Sequence, residues 1–333
     1  MSATLTVAPD EADVRLDRFL RRHAPGLPQS AIQKLCRTGQ VRVDGKRVEA
    51  ATRLAPGQAV RLPPTRIYPL RDAAPAPAPE RPVDPALANA LRDAVLYRDE
   101  QVIVLNKPPG LPVQGGPGIA VHLDGALDAL RFGAERPRLV HRLDRDTSGV
   151  LVLARSAGVA GKLAASFRGR SMDKTYWAVV ARLPVPPEGR IDLPLRRIAG
   201  ARGGRTEPAE RGDPDAAHAL TDFRTLDHAG KLAWLELKPL TGRTHQLRVH
   251  CVAIGAPILG DVTYARPDQN GAFGALVAGL SEALHLHARA LDLPHPAGGR
   301  LVVEADLPPH MIATFRTLGF AAPPARAPRR VPD

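Results

Sequence analysis

A run of alternating alanine and proline, from Ala73 to Pro79, divides this chain of 333 residues into two parts. Proline has no amide hydrogen and restricts the residue before it, so the run forms neither a helix nor a strand within a sheet. It predicts an extended, semi-rigid spacer between two separately folded parts. We therefore expect a small domain, a linker, a large domain and a disordered tail rich in Ala, Pro and Arg, at residues 13–66, 67–90, 91–320 and 321–333.

Positive charge is concentrated in the small N-terminal part. The formal net charge is +12, and residues 13–64 hold eleven Lys and Arg against four Asp and Glu. This cluster indicates a polyanionic partner, nucleic acid rather than a membrane. No segment approaches 18 continuous apolar residues and the N-terminus resembles no secretory signal, so we expect a cytoplasmic protein without a membrane partner. Cys36 and Cys251 have no ligand spacing, which disfavours a structural zinc or a disulfide framework.

The small part has the pattern of two helices followed by a hairpin. Apolar residues recur at helical spacing after Asp13, the expected N-cap, and Ser30 opens a second helix in a capping-box pattern. Asp44-Gly45 predicts a hairpin turn. This order, with RLDRFL in the first helix and GQVRVDGKRV around the hairpin, resembles the S4 RNA-binding domain. Four basic residues then become candidate phosphate contacts, or alternatively a solvated charged face: Arg37, Arg42, Lys46 and Arg47.

The large part mixes strands and helices without a repeat. Apolar and β-branched runs predict strands at 102–105, 175–180, 232–237 and 284–293, and the apolar spacing from Thr244 to Ile254 predicts a helix. Residues 199–218 are rich in Gly, Arg, Glu and Pro and predict a mobile loop. Neither a dinucleotide-binding nor a P-loop glycine pattern is present, so no nucleotide cofactor is expected. The spaced histidines, without acidic or thiol partners, do not favour a metal site: His245, His250, His285 and His287.

The segment with the most chemical information is LVHRLDRDTSG, residues 139–149. Its apolar start, arginines, carboxylates and small-residue turn predict a strand–turn–strand that directs a carboxylate out of a sheet. The nine residues HRLDRDTSG resemble the catalytic motif of the RluA/RluC family of RNA pseudouridine synthases. Further stretches resemble other motifs of that family: NKPPGLPVQGG at 106–116, DKTYWAVV at 173–180, LTGRTHQLRVH at 240–250 and LGDVTY at 259–264.

The resemblance implies an α+β fold, with a mixed, largely antiparallel sheet in the catalytic domain and a small S4 domain before it. It also implies that Asp144 is the catalytic aspartate, that Tyr176 is the active-site aromatic residue and that Arg248 pairs with the aspartate. Arg142 is expected to fill the gap left by a flipped nucleotide, or alternatively to pair with a phosphate. Lys107 is expected to contact RNA. Asp146 matches a variable position and is expected to serve the turn.

The implied reaction is the isomerisation of uridine to pseudouridine in RNA. It is redox-neutral and adds no external group, so no cofactor is expected, and we expect a monomer. Large-subunit (23S) ribosomal RNA is the expected substrate, because a separate basic domain suits a large RNA. Three alternatives remain open: a tRNA substrate, a non-catalytic S4-type RNA-binding or ribosome-assembly factor, and an RNA-acting hydrolase.

Overall fold

The computed structural model describes residues 3–11, 13–24, 26–63, 83–116, 118–169, 171–198, 204–265 and 279–332. The chain divides into two compact units, Met1–Pro82 and Val83–Asp333. The Ala/Pro run predicted as a spacer lies outside the described residues. No helix among the described residues is both long and apolar enough to span a membrane.

The described residues of the smaller unit form four strands and two α-helices, besides a short 3-10 helix at Pro9–Glu11. In chain order these are β1 (Ala3–Thr6), α1 (Leu16–His23), α2 (Gln29–Arg37), β2 (Arg42–Val43), β3 (Lys46–Arg47) and β4 (Ala59–Leu62). The strands form one sheet in the order β1-β4-β2-β3, with antiparallel neighbours. The apolar faces of both helices are buried against this sheet through Leu16, Phe19, Leu20 and Ile32, each fully buried. This core explains how the smaller unit folds around two short helices.

Local turn chemistry in the smaller unit is partly as predicted. Asp44 and Gly45 both have positive φ, 48° and 75°, as a two-residue hairpin turn requires. The predicted caps are wrong. Asp13 has a φ of 61° and pairs with Arg53, and the residue before α1 is Arg15, which makes no side-chain cap. Ser30 lies inside α2, because the helix already begins at Gln29.

The larger unit begins with α3 (Pro85–Asp93), which starts inside the range predicted as linker, 67–90, and extends beyond it. Asp84 accepts a hydrogen bond from the amide of Ala86 (2.9 Å) and Pro85 occupies the first turn, a combination that favours a helix start. The elements that follow are β5 (Val95–Arg98), β6 (Val102–Lys107), β7 (Arg138–Leu139), β8 (Ser148–Ala154), α4 (Ala157–Arg168), β9 (Asp173–Val180) and β10 (Glu188–Asp192).

The remaining elements are β11 (Leu195–Ile198), β12 (Arg205–Pro208), β13 (Ala216–Ala217), β14 (Leu220–Ala229), β15 (Leu232–Pro239), α5 (Gln246–Ala253), β16 (Leu286–Pro294), β17 (Arg300–Glu304), α6 (Pro309–Leu318) and β18 (Arg329–Val331). Eleven strands form one sheet in the order β10-β14-β15-β9-β16-β8-β6-β5, with β17 beside β16, β18 beside β17, and β7 beside β8. Only the β16–β8 pair among these described strands is parallel. The predicted mixed, largely antiparallel α+β fold is confirmed.

Both faces of the central sheet are covered, which explains why every residue of β8 is buried. Alternation along the strand sends Leu151 and Leu153 into one apolar cluster and Val150 and Val152 into another. Gly149, with a φ of 109°, lies where β8 meets β16, and a Cβ there would collide with the backbone of Ala288. This close approach brings the turn before β8 against the neighbouring strands.

Two sequence-based expectations for the larger unit are wrong. The mobile loop was predicted at 199–218, but its described residues, 204–218, contain β12 and β13, which both pair with β11 in a small sheet. Arg196 of β11 binds Glu207 (2.6 Å) on β12 and Asp213 (2.9 Å) between the two strands. The tail predicted to be disordered contains β18, which pairs with Arg300 to Val302 of β17. Backbone pairing at an open sheet edge orders this Ala- and Pro-rich segment, which has little apolar surface of its own.

Candidate active site

A cavity of about 310 Å³ lies in the larger unit where six segments meet. These are the turn before β8, the C-terminal end of α4, the start of β9, the end of β15 with the loop after it, the first turn of α5 and the start of β16. Its lining includes both charged and aromatic side chains, among them His141, Arg142, Asp144, Phe167, Lys174, Tyr176, Arg243, His245 and Arg248. Three sequence motifs separated by about 30 to 70 residues thus share one cavity.

Asp144 lies in the turn between β7 and β8, and its side chain is 19% exposed. Its carboxylate oxygens are 3.6 Å from Arg248 Nη1 and 3.8 Å from His245 Nε2. The amide of Thr147 donates to the Asp144 carbonyl (3.2 Å) and closes the turn. Residues 140–147 form this irregular turn, and β8 begins only at Ser148. The side chains of Arg142 and Asp144 line the same cavity.

Lys107 supports this turn from beneath and does not face solvent. Its ammonium donates to the carbonyls of Pro108 (2.8 Å), Leu111 (2.9 Å) and Arg145 (2.9 Å), and the residue is fully buried. Burial lowers the pKa of Lys107 to about 8, opposed by the charges of Asp146 and Asp144. The expectation that Lys107 contacts RNA is wrong, because all three donors are used to connect the loop after β6 with the turn before β8.

The two carboxylates of the motif have different surroundings. Asp146 pairs with the exposed Arg145 (3.0 Å) and is not among the residues that line the cavity. Asp144 does line it. Of the two, only Asp144 is placed to meet a molecule bound there.

Arg248 is held in place by a second carboxylate. Its Nε and Nη2 donate to the two oxygens of Asp261 at 2.8 and 2.6 Å, while Nη1 points towards Asp144. Asp261 is fully buried and also accepts from the amides of Thr263 (3.0 Å) and Tyr264 (3.2 Å). Hydrogen bonding to Asp261 and the charges of Asp261 and Asp144 raise the pKa of Arg248 against the opposing effect of burial, the largest single influence. The sequence analysis assigned Asp261 no role, although it lies in the LGDVTY stretch.

Tyr176 and His245 complete the surroundings of Asp144. Burial, with a smaller contribution from the Asp144 charge, raises the pKa of Tyr176 well above its ordinary range, so its phenol is neutral at pH 7. His245 has a left-handed φ of 54° immediately before α5, and its Nδ1 lies 2.6 Å from the Tyr264 hydroxyl. Burial lowers the pKa of His245 despite the Asp144 charge. A left-handed backbone beside the Asp144 carboxylate marks His245 as a candidate site residue, to which the sequence had assigned no role.

The predicted RNA contacts of the smaller unit belong to a different part of the chain from the cavity. Arg37, Lys46 and Arg47 are exposed. Arg42 is half-buried, and its guanidinium donates to the carbonyls of Gly39 (3.3 Å) and Gly45 (3.1 Å), which steadies the hairpin. In the larger unit, Arg142 is exposed at the cavity.

No group of three potential metal ligands lies together among the described residues. The histidines that the sequence analysis considered for a metal instead bind protein atoms. His250 contacts the Thr221 hydroxyl (3.0 Å), His285 the Thr314 hydroxyl (2.8 Å), and His287 the Ser148 hydroxyl (2.9 Å). These contacts assign the three imidazoles to structural hydrogen bonding.

Comparison with known proteins identifies both units. Residues 101–253 match the RNA pseudouridylate synthase family, and residues 14–60 match the S4 domain. The chain is 36% identical over 307 residues to ribosomal large subunit pseudouridine synthase C of Salmonella typhimurium, covering 91% of this chain and 92% of that protein. It is 34% identical to the Vibrio cholerae protein of the same name, over 92% and 94% of the two chains. Human RNA pseudouridylate synthase domain containing 4 superposes with a TM-score of 0.60 at 32% identity, covering 72% of this chain and 97% of that structure.

Proposed function

Because the chain belongs to the RNA pseudouridylate synthase family, as its motifs predicted, we propose that it converts specific uridines of large-subunit ribosomal RNA to pseudouridine. The observation that carries the proposal is the Asp144 carboxylate, exposed to the cavity and placed between Arg248 and His245. The relatives that share most of this chain are named for the large ribosomal subunit. The same relatives favour ribosomal RNA over tRNA as the substrate.

The reaction explains why a carboxylate belongs in this position. The bond between ribose C1′ and uracil N1 breaks, the base turns, and C1′ is joined to C5, which loses its proton. Positive character develops at the sugar as the first bond breaks, and a carboxylate beside C1′ stabilises it or reacts with it. The Arg248 guanidinium lies 3.6 Å from the Asp144 carboxylate and stabilises its negative charge.

Tyr176 supplies the surface on which the detached uracil is retained. Its ring lines the cavity with Asp144, and stacking holds a base without requiring one orientation. Because its phenol is neutral at pH 7, the hydroxyl acts as a hydrogen-bonding group unless its proton is first removed. Arg142, exposed at the cavity, fills the stacking position that the flipped nucleotide leaves.

We assign RNA docking to the smaller unit through Arg37, Arg42, Lys46 and Arg47. About four phosphate contacts would give a log–log salt slope of about −3 to −4 for RNA affinity. Deleting residues 1–66 should flatten that slope and weaken turnover on large RNA. An unchanged slope with unchanged turnover would contradict the docking role. We also propose that the protein acts as a monomer in the cytoplasm, where it would meet large-subunit ribosomal RNA.

Two carboxylates, two residues apart, test the catalytic assignment. Asp144→Asn keeps the size of the side chain but removes the charge that faces the sugar, so it should abolish tritium release from C5-labelled uridine RNA while RNA binding persists. Asp146→Asn should retain most activity, because its partner is the exposed Arg145. Tritium release by the Asp144→Asn protein would refute the assignment. An inactive Asp146→Asn protein together with an active Asp144→Asn protein would reverse the roles of the two carboxylates.

The substrate is tested in cells. Pseudouridine mapping of total RNA after deletion of the gene should show losses in large-subunit ribosomal RNA, at loop or junction uridines where unstacking costs little. Restoring the gene with Asp144→Asn should not recover those positions, whereas the unmodified gene should. Losses confined to tRNA would contradict the proposed substrate and leave the chemistry intact.

A further inference from the structure

The cavity contains a half-buried lysine, Lys174, whose surroundings differ from those of the fully buried Lys107. Lys174 lies on β9 two residues before Tyr176, and side chains two apart on a strand share one face. Both side chains line the cavity. Lys174 is therefore directed into the same space as the proposed uracil platform.

No described residue provides Lys174 with an acceptor. The Lys107 ammonium donates to three carbonyl oxygens. The Lys174 ammonium, by contrast, has neither a hydrogen bond nor an ion pair with any described residue. Burial lowers the pKa of Lys174, and no described carboxylate offsets that effect. A partly desolvated cation without a partner is costly, and a negative charge that arrives with a ligand relieves the cost.

The neighbours of Lys174 at the cavity wall are small or uncharged. Its Nζ lies 4.0 Å from the position that a Cβ would occupy at Gly242, so the ammonium lies beside a glycine that also lines the cavity. His141, which also lines the cavity, is half-buried and stacks on Phe167 at 4.1 Å. Burial and the Lys174 charge lower the pKa of His141 to about 3, so this neighbour is neutral and does not compete for an anion.

The proposed reaction generates the matching negative charge. When the C1′–N1 bond breaks, its electron pair remains on N1 and is shared with the uracil carbonyl oxygens O2 and O4. The anion is consumed when C1′ bonds to C5, the C5 proton leaves and N1 takes up a proton. Asp144 stabilises the positive sugar, but it cannot stabilise the negative base. A cation placed at the base is worth most at the point where this charge develops.

We propose that Lys174 binds a carbonyl oxygen of the target uracil and stabilises the negative charge on the base while it is detached from the ribose. This assignment rests on the proposed function and gives the two charged groups complementary tasks. Asp144 acts at the sugar, Tyr176 carries the ring, and Lys174 acts at the base. A contact between Lys174 and an RNA phosphate is the competing arrangement, and it predicts different measurements.

Lys174→Met tests the assignment, with Lys231→Met as its matched control. Lys231 is exposed in the turn between β14 and β15, so the control removes the same charge from the same unit away from the cavity. We expect Lys174→Met to slow single-turnover tritium release by about 10²-fold, comparable to the loss of one transition-state donor. RNA affinity and its salt slope should remain those of the parent. Equal rates for the two variants would refute the proposal, as would weaker RNA binding with a salt slope shallower by about one.

Chemical restoration of the ammonium tests whether its loss, rather than a defect in folding, lowers the rate. Cys36 and Cys251 are buried, so Lys174→Cys offers the accessible thiol for aminoethylation, which rebuilds a lysine-like side chain. The modified protein should regain most of the lost rate, and the same treatment of the parent should change nothing. Failure to regain the rate in a protein that binds RNA normally would contradict the proposal. A parent that releases no tritium would instead contradict the proposed function, so the two failures are distinguishable.

Discussion

Replacement of Asp261 by Asn tests whether a buried carboxylate positions the arginine of the site. The substitution retains an oxygen that can still accept from the amides of Thr263 and Tyr264. It replaces the oxygen that accepts from Arg248 Nε (2.8 Å) with an NH₂ group, so a donor then faces a donor. Arg248, with a side chain only 8% exposed, loses its Nε bond and the negative charge of its partner, and keeps the Nη2 bond to the retained oxygen and the longer contact to Asp144.

The expected loss of stability follows from burial. Removing one partner of a buried ion pair costs about 3–5 kcal/mol, because the remaining charge stays desolvated. For a domain of this size that corresponds to a decrease in Tm of roughly 6–20 °C. Arg248 also leaves its position beside Asp144, and a displacement of about 1 Å at a reacting group costs on the order of 10²-fold in rate.

An exposed pair with the same geometry provides the control. Arg190 Nε and Nη2 donate to the two oxygens of Asp222 at 2.6 and 2.9 Å, at the surface of the β10–β14 pair. Asp222→Asn should leave the Tm and single-turnover tritium release close to those of the parent. Thermal unfolding followed by circular dichroism gives the Tm of both variants, and the tritium assay gives their single-turnover rates. Equal Tm values for Asp261→Asn and Asp222→Asn would refute the argument from burial.

Three further predictions concern other buried groups of the larger unit. Lys107→Met leaves three carbonyl oxygens without their donor and should lower the free energy of unfolding in urea by about 3 kcal/mol or more. Tyr176→Phe removes only a hydroxyl, so RNA binding should persist while single-turnover rates fall by about 10²-fold or more, and a normal rate would limit Tyr176 to stacking. Burial lowers the pKa values of His285 and His287 to about 4, below the unfolded value of about 6.5, so acidification from pH 6.5 to 4 protonates the unfolded chain first. The free energy of unfolding should therefore fall by up to about 1.4 kcal/mol per pH unit for each histidine in that window. His287→Asn should reduce this dependence on pH, measured by urea unfolding at several pH values across the window.

Short-range patterns in the sequence were sufficient for several features. The hairpin at Asp44-Gly45 follows from turn chemistry, because its two positive φ values are preferences of those residues themselves. The strands and α5 follow from apolar periodicity, although α5 begins at Gln246 because His245 adopts a left-handed backbone. The family followed from literal motif strings, which no argument from composition or periodicity could have supplied.

Long-range pairings were decided only by the tertiary structure. The sequence cannot reveal that Lys107 is buried beneath a turn 38 residues away, or that Asp261 holds Arg248. It cannot distinguish these satisfied charges from Lys174, whose ammonium faces the cavity without a described partner. The order of the tail likewise depends on an open edge of β17. The free energy of a buried charge depends on which groups surround it, and that neighbourhood exists only when distant segments have packed together.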